Sequence, residues 1–185
     1  MNDKSLNNIN NETRLITEKP DLDWSQYGYE LYHQNKYEES LKAFERAIIQ
    51  DKDDFYSWYG KAVSLNMINE HYYIEIIPPD AVKAVEKAIA LQPEFYYPKL
   101  ERAIVYDEWG KYPQAITSFD EAIATEPDYE SAYYYKGLTL YKLGKYKQAL
   151  DCFNLAIEKS SQYDTAWYRR GITLNDLRQY EEAIQ

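Results

Sequence analysis

The sequence predicts an all-α protein built from repeated pairs of antiparallel helices. Three observations support this prediction. Residues of one kind recur at a spacing of 34, as Phe119 and Phe153 or Gly137 and Gly171 do. Apolar residues within each unit follow the helical period of about 3.6 residues. Short glycine-containing stretches, LGKY and WGKY, interrupt that period in mid-unit and separate a first helix from a second.

The same period divides the chain into a tail and a repeat domain. The opening residues are rich in asparagine and carry scattered charge, so they cannot bury much surface and predict a flexible polar tail. The predicted tail covers residues 1–20, and the repeat domain, residues 21–185, comprises units 21–54, 55–95, 96–129 and 130–163 and a partial unit 164–185.

Glycine and proline mark the predicted ends of the helices. Gly110 and Gly144 suit the left-handed conformation that ends a helix, because glycine has no Cβ to clash there. Pro93 and Pro127 fall at the boundaries between units, where a second helix has to stop. Each unit is therefore expected to be one helix pair.

The pattern resembles the tetratricopeptide repeat, whose signature is W-x2-L-G-x2-Y, then A-x3-F, then P. Counted from the start of each unit, an aromatic stands at most occurrences of position 4, small residues at positions 8, 20 and 27, and Phe or Val at position 24. Position 4 holds Trp24, Trp58, Lys99, Tyr133 and Trp167, and position 8 holds Gly28, Ala62, Ala103, Gly137 and Gly171. Position 20 holds Ser40, Ala81, Ala115, Ala149 and Ala183, and position 27 holds Ala47, Ala88, Ala122 and Ala156. Position 24 holds Phe44, Val85, Phe119 and Phe153. The resemblance implies a right-handed superhelical array in which first helices line a concave groove that holds peptide ligands.

The second unit departs from the pattern, with seven residues more than its neighbours near 67–80. We expect a lengthened helix end or a loop there, with Pro78-Pro79 starting the second helix. Two interpretations stay open: a tolerated insertion at a turn, or an apolar patch, YYIEII, that docks a partner or another subunit.

Composition argues against several classes of function. The net charge of -10 would repel nucleic acid. No segment approaches the roughly 20 apolar residues of a membrane span or forms a secretory signal, so we expect a cytoplasmic protein without membrane insertion. No Gly-rich phosphate loop is present, and His33 and His71 lie apart from further ligands. The predictions are therefore no catalytic residue, no metal, no cofactor and no enzyme activity.

A second stripe on the first helices, at positions 2, 5, 9 and 12, lies away from the stripe that packs between paired helices. It is dominated by tyrosine and aliphatic residues. Tyrosine offers a rigid apolar face with a polar tip and is enriched in recognition surfaces. The predicted peptide-binding residues are Tyr29, Tyr32, Tyr56, Tyr59, Tyr97, Tyr134, Tyr141 and Tyr168. The alternative is that stripe residues are simply buried between units, above all at position 9.

The expected partner is a protein or peptide segment with apolar and basic residues. Relatives that grip a C-terminal carboxylate use Lys and Asn at positions 5 and 9 of the first unit, where this chain has Ser25 and Tyr29. The function predicted is a non-catalytic interaction scaffold or adaptor; the alternative is a regulatory or targeting arm of a larger enzyme. The last unit ends before its second helix is complete, which leaves two expectations: a fragment of a longer chain, or a homodimer through the uncapped end.

Overall fold

The computed structural model describes residues 22–72 and 79–178. This part of the chain contains nine α-helices and no strand, as the sequence predicts. In chain order they are α1 Trp24–His33, α2 Tyr37–Gln50, α3 Phe55–Tyr72, α4 Pro79–Leu91, α5 Tyr96–Glu108, α6 Tyr112–Thr125, α7 Glu130–Lys142, α8 Tyr146–Lys159 and α9 Asp164–Asp176.

The helices pack as successive pairs, α1 with α2, α3 with α4, α5 with α6, and α7 with α8, and each second helix also packs on the first helix of the next unit. Consecutive first helices contact one another, from α1 through α3 and α5 to α7. No contact of that extent links consecutive second helices in the described chain. The first helices therefore form the inner side of the array, and the second helices form the outer side.

Left-handed residues end the first helices at the predicted glycines. Gly110 and Gly144 both have φ of +71°. At the first of these ends Lys111 N–H donates to the Tyr106 carbonyl at 2.8 Å, which satisfies an otherwise unpaired carbonyl of the last turn. In the first unit Asn35 takes the left-handed conformation at the end of the first helix, with φ of +59°. Asparagine tolerates this conformation better than other non-glycine residues do.

The cores of the first, third and fourth units are each built on an aromatic ring that enters a space left by small residues, and the second unit has Val85 at that position. Phe44, Phe119 and Phe153 are fully buried at position 24. A Cβ built on Gly137 would come within 2.6 Å of the Phe153 ring, and one on Gly28 within 2.7 Å of the Phe44 ring. These glycines are required by the close approach of the rings, because no larger side chain fits beside them.

Polar pairs at a constant spacing of 16 residues join second helices to the first helix of the next unit. Lys61 Nζ contacts the Glu45 carboxylate at 2.8 Å, and Lys136 Nζ contacts Asp120 at 2.6 Å. In the last unit Arg170 donates to the Asn154 amide oxygen at 2.9 Å. The repetition fixes the same register at three junctions.

The insertion in the second unit begins as an extension of its first helix. The helix α3 continues to Tyr72 and, at 18 residues, is the longest described helix, while α4 begins at Pro79 as predicted. Residues 73–78, which hold most of the YYIEII segment, lie outside the described residues, as do the predicted tail and residues 179–185.

Candidate peptide-binding surface

The predicted groove tyrosines all lie on first helices, α1, α3, α5, α7 and α9, and thus on the elements that form the inner side of the array. Their exposure divides them into two groups. Tyr56, Tyr97 and Tyr168 are exposed, with 55%, 44% and 68% of their surface accessible. The half-buried group comprises Tyr29, Tyr32, Tyr59, Tyr134 and Tyr141.

Tyr29 lies at the junction of the first two units. Its hydroxyl donates to the backbone carbonyl of Tyr56 at 2.9 Å, and its ring packs edge-on against Phe44 with centroids 4.8 Å apart. Burial raises the pKa of the Tyr29 phenol, and the Asp54 carboxylate raises it further. Tyr29 thus joins two repeats, and only part of its ring faces solvent.

Tyr59 and Tyr32 are likewise held by neighbouring rings. Tyr59 stacks on Phe55 with centroids 6.3 Å apart, and burial, followed by the Glu101 carboxylate, raises the pKa of its phenol. Tyr32 packs edge-on against Tyr37 with centroids 5.5 Å apart. Both tyrosines therefore contribute to packing as well as to the inner surface.

The segment SAYYYKG shows how three consecutive tyrosines take different contacts. Tyr133 donates its hydroxyl to the Pro127 carbonyl at 3.1 Å. Tyr134 packs against Phe153 and Tyr163, with centroids 6.1 and 5.1 Å apart. Tyr135 packs on the Phe119 cluster of the preceding unit. Consecutive helix residues point about 100° apart, so the three rings reach separate surroundings.

The position-12 side chains of the third and fourth units contact the first helix of the next unit. The Tyr141 hydroxyl donates to the Asp176 carboxylate of the next first helix at 2.5 Å. At the same position one unit earlier, Asp107 accepts from the buried Thr139 hydroxyl at 2.8 Å and forms an ion pair with Lys142. These side chains therefore fix the angle between neighbouring first helices.

Position 4 also connects units, which the sequence reasoning did not foresee. The indole N–H of Trp58 donates to the Lys52 carbonyl at 2.8 Å, and that of Trp167 donates to the Ser161 carbonyl at 3.0 Å. The Tyr133 bond described above spans the same six residues. These three position-4 rings thus tie their helices to the turns before them.

Aromatic residues also stand immediately before three first helices, and the sequence reasoning missed them. Phe95, Tyr129 and Tyr163 are the N-cap residues of α5, α7 and α9, and none makes a side-chain capping bond. The first two units instead have acidic residues there: Asp23 accepts from the Gln26 N–H at 2.9 Å, and Asp54 accepts from the Tyr56 N–H at 3.0 Å. Losing such a cap typically costs about 0.5–2 kcal/mol of helix stability.

Two of these N-cap rings join exposed tyrosines in a continuous row. Ring centroids lie 5.0 Å apart from Phe55 to Phe95, 6.2 Å from Phe95 to Tyr97, and 6.0 Å from Tyr97 to Tyr129. Phe95 and Tyr129 are 38% and 40% exposed. We call Tyr56, Phe95, Tyr97 and Tyr129 the aromatic edge, because all four lie at the N-terminal ends of the first helices in units two to four.

Carboxylates accompany the aromatic edge. Glu94 precedes Phe95 and Glu130 follows Tyr129, and the stretches PEFYY and PDYES contain no lysine or arginine. A hydrogen bond with the Tyr129 hydroxyl raises the pKa of Tyr97, burial raises it further, and the Glu130 carboxylate adds a smaller contribution. The surface therefore combines aromatic rings with negative charge.

The described residues include no group of three or more His, Cys, Asp or Glu side chains placed to hold a metal ion. Cys152 is buried, and burial raises the pKa of its thiol to about 11, so it is largely protonated at neutral pH. No helix of the described chain has both the length and the apolar character needed to cross a membrane.

Comparisons with known proteins agree on the architecture. The family model "Anaphase-promoting complex, cyclosome, subunit 3" matches residues 108–185, and a tetratricopeptide repeat model matches residues 28–71. No curated protein matches the sequence.

Several solved structures are similar in fold. PilF of Pseudomonas aeruginosa superposes with a TM-score of 0.75 at 18% identity, covering 88% of this chain and 71% of that one. MamA from Desulfovibrio magneticus RS-1 gives 0.72 at 16% identity, with 88% and 90% covered. YrrB, described as a TPR protein with an unusual peptide-binding site, gives 0.65 at 20% identity, with 92% and 86% covered.

Identities this low establish the fold alone. The period of 34 residues, the glycine-ended helix pairs and the matched repeat models nevertheless agree with one another. This chain therefore belongs to the tetratricopeptide repeat family.

Proposed function

We propose that this chain is a non-catalytic scaffold that binds a peptide segment of a partner protein along the inner side of its first helices. The observation that carries the proposal is the exposure of Tyr56, Tyr97 and Tyr168, whose rings stand on three different first helices. An exposed tyrosine presents a large rigid surface that loses little conformational entropy on binding. The similarity of fold to YrrB, a peptide-binding TPR protein, supports the same class of function.

The half-buried tyrosines of the predicted set have a supporting role in this proposal. Tyr29, Tyr59 and Tyr134 present one part of each ring to the groove while hydrogen bonds and ring contacts hold the rest. A surface fixed before binding loses less entropy when a ligand arrives. The exposed tyrosines supply the main contacts, and the half-buried ones fix the shape of the surface.

A displayed library of short random peptides, selected on the immobilised chain, tests the proposal. Selected peptides should bind the Tyr56→Ala/Tyr97→Ala variant at least about thirtyfold more weakly, since anchor residues contribute more than about 1 kcal/mol each. A matched control is Ile49→Ala/Leu155→Ala, which removes two exposed apolar side chains from second helices. Peptides that lose affinity for the control variant but not for the tyrosine variant would place binding on the outer side and contradict the proposal.

A further inference from the structure

We propose that the aromatic edge binds a proline-rich segment that carries basic residues and lies in the extended polyproline II conformation. This inference rests on the proposed function and specifies the chemistry of its ligand. The occupant is a segment of a partner protein, and its recognition combines stacking of proline rings on Tyr97, Tyr129 and Phe95 with attraction of Lys or Arg to nearby carboxylates.

Phe95 and Tyr129 stand where the start of a helix favours other residues. Phe95 and Tyr129 occupy N-cap positions that favour Ser, Thr, Asp or Asn, and neither makes a capping bond. The corresponding position before α3 is Asp54, which does cap its helix. Sequences depart from local preferences chiefly where function requires another residue. Phe95 packs on the buried Phe55 and Tyr129 stacks on the buried Tyr96, yet each ring keeps more than a third of its surface exposed for a ligand.

The spacing of the exposed rings suits a polyproline ligand. Centroids lie 6.2 Å apart from Phe95 to Tyr97 and 6.0 Å apart from Tyr97 to Tyr129. Polyproline II rises about 3.1 Å per residue, so each step accommodates roughly two residues of ligand. Aromatic-lined grooves are a recurrent means of binding this conformation, which is stiff before it binds. Its carbonyls have no internal partners, so an exposed hydroxyl such as that of Tyr56 can donate to them.

The charge around the N-cap rings favours a ligand with basic residues. Glu94 and Glu130 flank the N-cap rings, and no cationic residue lies in either stretch. The basic groups beside these turns are already engaged: Lys159 is ion-paired with Asp128 at 3.0 Å, and Lys99, two residues after Tyr97, donates to the Thr125 hydroxyl at 2.6 Å. A ligand with Lys or Arg beside its prolines would place positive charge against these carboxylates, and its guanidinium groups could also stack on the rings.

Fluorescence-anisotropy titrations with three synthetic peptides test the inference. The probe (RPP)4 carries both features, (RAA)4 keeps the charge without the prolines, and (EPP)4 keeps the prolines with the opposite charge. We expect (RPP)4 to bind at least tenfold more tightly than either of the others. Equal affinity for (RPP)4 and (RAA)4 would overturn the conformational part, and equal affinity for (RPP)4 and (EPP)4 the electrostatic part.

Binding of (RPP)4 to variants of the aromatic edge tests whether the peptide binds there. Phe95→Ser/Tyr129→Ser should weaken (RPP)4 binding at least tenfold, while serine restores a capping residue that favours the fold. Circular dichroism checks that the helices remain. Glu130→Gln changes only one charge and should weaken binding two- to fivefold, so it tests the same surface if the serine variant unfolds. Ile49→Ala/Leu155→Ala should bind like the unmodified chain.

The failure of this inference is distinguishable from failure of the proposed function. If (RPP)4 does not bind, or binds the serine variant unchanged, the aromatic edge is not a polyproline site. Random peptides of another composition that depend on Tyr56 and Tyr97 would then still support a peptide scaffold. Enrichment of helix-forming peptides in that selection would show that the groove holds a helical segment, and it would overturn the polyproline II conformation proposed for the ligand.

Discussion

Gly60→Ala is expected to destabilise the junction between the first two units, although alanine is the better helix former. A Cβ on Gly60 would overlap the ring of Phe44, which is wholly buried. Gly28 holds that ring on another side, where a Cβ would come within 2.7 Å, and Tyr29 packs against it edge-on. The ring therefore has no free space into which it could move.

The magnitude follows from two opposing effects. Inserting a methyl group into a packed core costs about 1–3 kcal/mol. Replacing glycine by alanine within a helix gains about 1 kcal/mol. We therefore expect the free energy of unfolding to fall by up to about 2 kcal/mol in a urea titration followed by circular dichroism, or Tm to fall by up to about 8 °C for a chain of this size.

A double-mutant cycle with Phe44→Leu separates ring contact from helix propensity. In the leucine background the ring is gone, so Gly60→Ala should be neutral or should stabilise by up to about 1 kcal/mol. If Gly60→Ala instead costs the same in both backgrounds, the two residues are not coupled. That result would refute the packing described for this junction.

Three further predictions concern single groups. Cys152 should react with a thiol reagent at pH 8 at least about tenfold more slowly in the folded chain than in urea, because burial raises its pKa to about 11; equal rates would contradict its burial. Asp23→Ala should lower the free energy of unfolding by about 0.5–2 kcal/mol through loss of the bond to Gln26, with Asp23→Ser as the capping control in the same urea titration. Tyr29 and Tyr59 keep their protons to higher pH when folded than when unfolded, where the phenol pKa is 10.0, so unfolding releases protons and stability should fall as pH rises above 10; a flat profile from pH 9 to 11 would contradict this.

The regular features of the fold could be predicted because each rests on residues within one unit. The period of 34 residues gives the helix pairs, and glycine gives the left-handed ends at Gly110 and Gly144. Gly60 was not singled out, since its small size matters only beside Phe44 of the preceding unit. A contact between units depends on the angle at which they pack, and the sequence of one unit does not specify that angle.

The candidate site could be predicted only in part for the same reason. Helical projection places Tyr29 and Tyr56 on one stripe, yet the first bonds to the backbone of the second and the second is exposed. Phe95 and Tyr129 were missed because projection considers only residues within the helix, and these two precede it. Their recurrence after 34 residues, each following a proline by two positions, is the signal that could have found them.

The most direct test of peptide binding on the inner side is an NMR titration of the chain with ¹³C-labelled tyrosine rings and a selected peptide. The account predicts that signals of Tyr56, Tyr97 and Tyr168 shift first and most, since these rings are exposed on first helices. Shifts confined to Tyr112 and Tyr146, which begin second helices, would place the ligand elsewhere and contradict the account.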